Sequence, residues 1–155
     1  MLQIAVIGAG EAGDSIKNVA REVGVEIAKT GHILICGGRG GVMEAAAKGA
    51  KSAGGLTIGI LPGERKDEAN QYIDVKIVTA MSHARNAIIT RTGDGIIAVG
   101  GRAGTLSEIG LALKIKKPVI TLKDAEPEFM VEDKIYIANT PREAVSMVEE
   151  LCKKK

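Results

Sequence analysis

Gly95-Ile-Ile-Ala-Val99-Gly100-Gly101-Arg102-Ala103-Gly104-Thr105-Leu106-Ser107-Glu108 is the stretch on which the fold turns. An apolar run feeds directly into three glycines, a hydroxyl and a carboxylate, and then into Ile109-Gly-Leu-Ala-Leu113. That pattern reads as a buried strand, a bare backbone turn and the first turn of a helix. Such a junction presents unpaired helix N–H groups and the positive end of the helix dipole to whatever lies above it. A phosphate is the natural occupant.

The same design recurs on both sides. Residues 2–8, 32–36, 56–61, 75–79, 118–122 and 135–137 are short apolar runs, so with the run before Gly100 about seven strands are expected. Between them fall helical patterns. Ile16, Val19, Ala20, Val23 and Ile27 share one face behind a cap at Asp14 or Ser15, with Gly31 as the stop. A helix over about 42–53 has a face of Ala45, Ala46, Ala47, Gly49, Ala50 and Ala53, small enough for tight helix packing or a dimer contact. A helix over 81–92 turns Ala84, Ala87 and Ile88 inward and closes at Gly93; the one after Gly104 runs to about Lys116. Thr140-Pro-Arg-Glu143 is a capping box that opens a last helix, with Ala144, Val145, Val148 and Leu151 on one face. Strands and helices alternating at this spacing predict one α/β domain over residues 1–155, a Rossmann-like, doubly wound and mostly parallel sheet with helices on both faces. Gly8, Gly37 and Gly100 each follow a strand, so their loops converge on the rim where such sheets bind ligands.

Composition narrows the partners. Net charge is only +2, and the lone basic cluster, Lys153-Lys154-Lys155, is a solubilising tail. One Phe, two Tyr and no Trp leave almost nothing for bases to stack on, which argues against nucleic acid. Cys36 and Cys152 have no metal-like spacing and read as thiols in a reducing compartment. The first eight residues lack the basic flank of a signal peptide, and no run approaches membrane-spanning length. A cytoplasmic protein with no metal site and no membrane partner is expected.

Gly8-Ala-Gly10-Glu-Ala-Gly13 fits the dinucleotide fingerprint, but the next strand ends at Cys36 and runs into glycine where the ribose-binding acid belongs. A tight strand-to-helix turn without a nicotinamide cofactor is the better reading, and neither glycine cluster continues into a Walker Lys-Ser or Lys-Thr. Gly37-Gly38-Arg39-Gly40-Gly41 has more glycine than a turn needs; Arg39 there adds a charge-assisted contact to an anion. In Met81-Ser-His-Ala-Arg85-Asn86, an arginine in the first helical turn opposes the dipole unless an anion offsets it. His83 is assigned no role. Thr105-Leu-Ser-Glu108 has two readings. It is a capping box, with Glu108 reaching back to the Thr105 N–H, or else Thr105 and the Gly100, Gly101 and Gly104 amides hold a phosphate while Glu108 faces a sugar.

These stretches resemble the LONELY GUY (LOG) superfamily, long mislabelled as lysine decarboxylases. Its glycine loop after the second strand, its Met-x-x-Arg-Lys and its Pro-Gly-Gly-x-Gly-Thr-x-x-Glu find counterparts, in the same order over roughly residues 1–122, in Gly37–Gly41, Met81–Asn86 and Gly100–Glu108. The resemblance implies a Rossmann-like homodimer or higher homo-oligomer that needs no resident cofactor and binds nucleoside 5′-monophosphates, hydrolysing the N-glycosidic bond to base and ribose 5-phosphate. It implies that Gly100, Gly101, Gly104 and Thr105 hold the phosphate, and with the converging loops the candidate binding set is Gly8, Gly10, Gly37, Gly38, Arg39, Gly40, Met81, Gly100, Gly101, Gly104 and Thr105. Glu108 would stand at the ribose, and Arg85 would assist positioning and leaving-group departure. Three departures point elsewhere in the superfamily: Val99 for the proline, one extra residue between Gly101 and Gly104, and Asn86 for the lysine. With them the chain looks closer to the branch holding molybdenum cofactor carrier proteins and uncharacterised DprA/Smf-related proteins. The alternative this implies is a non-catalytic carrier or sensor of a phosphorylated ligand such as molybdenum cofactor.

Overall fold

A computed structural model describes residues 1–128 and 134–154. Lys155, the last residue of the basic tail, lies outside the described residues. The strands are β1 (Gln3–Gly8), β2 (Ile33–Cys36), β3 (Thr57–Leu61), β4 (Val75–Val78), β5 (Gly95–Val99), β6 (Val119–Leu122) and β7 (Ile135–Ala138). The helices are α1 (Asp14–Lys29), α2 (Val42–Ser52), α3 (Asn86–Thr92), α4 (Ala103–Lys114) and α5 (Pro141–Lys153). The seven strands form one sheet in the order β4-β3-β2-β1-β5-β6-β7. Every ladder is parallel, so the sheet is wholly parallel rather than mostly so. The order reverses direction at β1 and β5, which places the switch point of a doubly wound sheet between them.

Strand alternation divides the core. Ile4, Val6, Leu34, Ile97, Val99 and Ile120 face α1, α2 and α5, while Ala5, Ile7, Ile35, Ile96, Ala98 and Val119 face α3 and α4. The central strands are apolar on both faces, as a sheet covered by helices on both sides requires. Coverage stops at β4, whose four residues are all exposed. The β3–β4 connection holds only a single 3-10 turn (Lys66–Glu68) where a crossover helix would lie. Val75 and Ile77, in register with Ile58 and Ile60, are also open, on the α3/α4 side.

The small face of α2 packs within the chain. A Cβ on Gly24 of α1 would come within 1.9 Å of the Ala46 carbonyl oxygen, and one on Gly49 within 1.9 Å of the Arg21 carbonyl oxygen. These two glycines let the helix backbones cross almost in contact, the tight packing expected of this face. Three local expectations are corrected. Gly13, not Asp14 or Ser15, is the N-cap of α1, and no side chain caps it. The 81–92 segment is a 3-10 turn (Ser82–Arg85) followed by α3, so its phase changes: Arg85, Ile89 and Thr90 are buried while Ala84 is exposed. At α5 the Glu143 N–H donates to Thr140 Oγ1 (3.1 Å) as expected, but the Glu143 carboxylate reaches one residue further, accepting from the Asn139 N–H at 2.7 Å.

Candidate functional site

The turns after β1 and β2 meet backbone to backbone. The Val42 N–H donates to the Ala9 carbonyl at 3.1 Å. Gly41 has φ +62°, and a Cβ there would lie 2.3 Å from the Ala9 oxygen. A Cβ on Gly40 would lie 3.2 Å from the Gly10 oxygen, and one on Gly8 would meet the Val99 oxygen at 2.6 Å. Glycine at these positions lets the loops above β1, β2 and β5 approach one another.

The turn after β5 is built differently. Gly100 and Gly101 adopt φ +58° and +116°, conformations that exclude most side chains. The segment after β6 anchors them: the Gly100 N–H donates to the Ala125 carbonyl (2.6 Å) and the Glu128 N–H to the Gly101 carbonyl (2.9 Å). The Gly100 amide is therefore engaged within the protein. Arg102 is the N-cap of α4, without a side-chain cap, and no acid occupies the first turn. Because α4 starts at Ala103, Thr105 is its third residue and Glu108 its sixth. A capping box needs the acid at the third position, so Glu108 is not that reach-back carboxylate. Thr105 and Glu108 are instead buried, at 4% and 8% exposure.

A cavity of about 330 Å³ opens at this switch point. Of the residues singled out from sequence, Gly8, Gly10, Gly37, Arg85, Gly104, Thr105 and Glu108 line it. Gly38, Arg39, Gly40, Met81, Gly100 and Gly101 are not in its lining. The Gly38 and Arg39 carbonyls instead accept from the Asn70 side-chain amide, at 3.2 and 2.7 Å, and both Arg39 and Met81 are exposed. Met43, His83, Asn86 and Arg102 also line the cavity and were not among the candidates. The signal for the middle two was adjacency to Arg85; Met43 follows Gly41 by two residues on α2 and had none.

Arg85 is 9% exposed. It donates through one terminal nitrogen to the Gly37 carbonyl (3.3 Å) and through the other to Asn86 Oδ1, while its Nε is buried without a partner. Gly37 seats it, since a Cβ there would stand 2.6 Å from that guanidinium. Burial lowers the Arg85 pKa, against the pull of Glu108. Burial pushes Glu108 up to about 7, with Arg85 drawing it back. Cys36, beneath the site, is pushed up to about 11 by burial and stays a thiol at neutral pH. The site thus combines a fixed cation, a carboxyl that exchanges its proton near neutrality, an unsealed helix start and apolar walls from Val6, Ile7 and Ile89. An anion at one end and a flat ring at the other fit that distribution.

A parallel α/β sheet with a small-ligand cavity at its switch point defines a Rossmann-like binding protein. The chain belongs to the SLOG cluster4 family, whose profile matches residues 1–150. An uncharacterised protein of Archaeoglobus fulgidus is 51% identical over 94% of this chain and 93% of its own length. A cytokinin riboside 5′-monophosphate phosphoribohydrolase of Mycobacterium tuberculosis is 35% identical over 59% of this chain and 50% of that enzyme. Among solved structures, the molybdenum cofactor binding protein of Rippkaea orientalis superposes with a TM-score of 0.89 at 38% identity, covering 97% of this chain and 96% of that one. The molybdenum cofactor carrier protein of Chlamydomonas reinhardtii gives 0.87 at 35% identity, covering 99% of both. DNA processing protein A of Helicobacter pylori, at 18% identity and a TM-score of 0.69 over 99% of this chain and 81% of that one, shares the fold. The LOG-type relationship and the likeness to molybdenum cofactor carriers thus hold together in one chain.

Proposed function

We propose that this protein binds a phosphorylated small molecule in the switch-point cavity and holds it intact, as a carrier of a molybdenum-cofactor-like ligand. The observation that carries the reading is the start of α4, which has no capping side chain and no acid in its first turn and opens into the cavity beside buried Arg85. The ligand's phosphate takes the free N–H groups of that first turn, and its ring system lies toward Met43 and Ile89. A cavity of about 330 Å³ suits one ligand of that size. End-to-end similarity to two molybdenum cofactor proteins supports the cargo; the phosphoribohydrolase covers little more than half of the chain.

A second reading rests on Glu108. A buried carboxyl with a pKa near 7 facing an arginine is suited to stabilise oxocarbenium-like charge while water adds to C1′ of a nucleoside 5′-monophosphate and the base departs with a proton. The two readings separate in one experiment. The purified protein is titrated with molybdenum cofactor and with AMP, and ribose 5-phosphate is assayed after incubation with AMP. The carrier reading expects cofactor binding and no ribose 5-phosphate. Turnover of AMP that disappears in Glu108→Gln overturns it in favour of hydrolysis. The proposal includes an intracellular protein that requires no resident cofactor. It also includes association of two or more copies, supported by the exposed Val75 and Ile77 on the edge strand β4 and checked by light scattering.

A further inference from the structure

We propose that Arg102 is a ligand-binding residue held in reserve by Glu128, whose carboxylate the ligand's phosphate displaces. The inference rests on the phosphate reading above and assigns its second cation. Arg102 lines the cavity and is the N-cap residue of α4, so its side chain leaves the backbone where the unpaired N–H groups of that helix begin. Its Nε donates to Glu128 Oε1 at 3.1 Å, and the side chains are 80% and 55% exposed. An ion pair this open to water is weakly held. The Glu128 backbone is anchored, because its N–H donates to the Gly101 carbonyl within the glycine turn.

The two site arginines are therefore unlike. Arg85 has both terminal nitrogens engaged and is enclosed by protein, so it cannot turn toward an arriving group. Arg102 contacts Glu128 through Nε, which leaves its terminal nitrogens to meet a second acceptor. A phosphate dianion at the start of α4 has more charge than a carboxylate and also collects the helix N–H groups, which the carboxylate of Glu128 does not. It wins the competition for the guanidinium. Each arginine is paired electrostatically with a glutamate, Arg85 with Glu108 and Arg102 with Glu128. Only the second pair is in contact through exposed side chains that the ligand is able to separate.

The test is calorimetric titration of inorganic phosphate, AMP and adenosine into wild type, Arg102→Gln and Glu128→Gln at low and high salt. Arg102→Gln is expected to weaken both phosphates about ten- to a hundredfold. Glu128→Gln, which removes the competitor, is expected to tighten them about two- to fivefold at low salt, with the gain fading as salt rises. Adenosine binding is unchanged in both variants. If wild type and both variants bind the phosphates alike, or Glu128→Gln weakens them, the role of Arg102 is overturned while phosphate binding stands. If neither phosphate binds wild type or Glu128→Gln, the phosphate reading falls and this inference with it.

Discussion

The helix starts of α2 and α4 come from nearly the same kind of sequence, a buried strand running into glycines, and end in opposite conditions. At α2 the backbone of the preceding glycine turn plugs the start, with the Val42 N–H on the Ala9 carbonyl and Gly41 jammed against Ala9 and Gly10. At α4, among the described residues, nothing beyond the helix's own backbone and its chain neighbours lies within 4 Å of where a Gly104 Cβ would project, and the N-cap residue supplies no side-chain cap. α5 represents a third solution, closed by the hydroxyl of Thr140. A glycine-rich turn thus serves either close packing or an open surface. The protein atoms above it decide which.

Substitutions sharpen that contrast, and Gly41→Ala carries the largest expected effect. A methyl at φ +62° and 2.3 Å from a backbone oxygen cannot be relieved by a side-chain rotation. A loss of about 3–4 kcal/mol is expected by urea denaturation, combining overpacking with a left-handed backbone. A loss under about 1 kcal/mol would show that the α2 start is less tightly plugged than its geometry implies.

On the open side, Glu108 ties stability to pH. Its folded pKa of about 7 lies above the unfolded carboxyl value of about 4.3, so the folded state binds more protons between the two. The Glu108 contribution to stability is therefore full below that range and is lost as pH rises from the unfolded value to about 7, by roughly 4 kcal/mol in all. Glu108→Gln removes the titration, so the variant gains on wild type from pH 5 to pH 8. A stability difference independent of pH would sink this account.

Thr140→Ala should cost about 1 kcal/mol at the capped start of α5, seen as a lower urea midpoint with an unchanged slope. Gly104→Ala is the smallest effect and has the opposite sign. With open space around it, the alanine should stabilise by about 0.5 kcal/mol through helix propensity, while phosphate affinity falls because a methyl now crowds the helix start. Unchanged affinity would place the ligand elsewhere in the cavity.

The strands were legible because β-branched runs bounded by glycine leave few alternatives, and their alternation with helical patterns implied the parallel, doubly wound sheet. Arg85 was legible as an arginine misplaced in an early helical turn, though not its seat over Gly37. The 3-10 turn that aims it arises from contacts distant in sequence. The Ala80 and Ser82 N–H groups donate to the Gly63 and Pro62 carbonyls at 2.8 Å each, and both residues take positive φ, which no local propensity announces. The capping-box reading of Thr105–Glu108 was removed by two residues. Gly100 and Gly101 take up the turn, α4 starts at Ala103, and Glu108 moves past the capping position into the cavity wall. Arg102 carries no sequence signal, because an arginine at an N-cap position has no capping chemistry to flag it.

β1 is hydrogen-bonded to β2 on one side and to β5 on the other, and its ladder with β5 ends on the pair Gly8 and Val99. Ile4, Ala5 and Val6 are fully enclosed. Amide protons in these two strands can exchange with solvent only when the whole sheet opens, so they should be the slowest in the molecule, and those of β4 among the fastest. The turns that face the cavity are the direct continuations of that slow pair. An arriving ligand therefore finds the backbone of these turns already in place, and its association rate should be governed by diffusion, charge and the exchange of exposed side chains rather than by a rearrangement of the backbone.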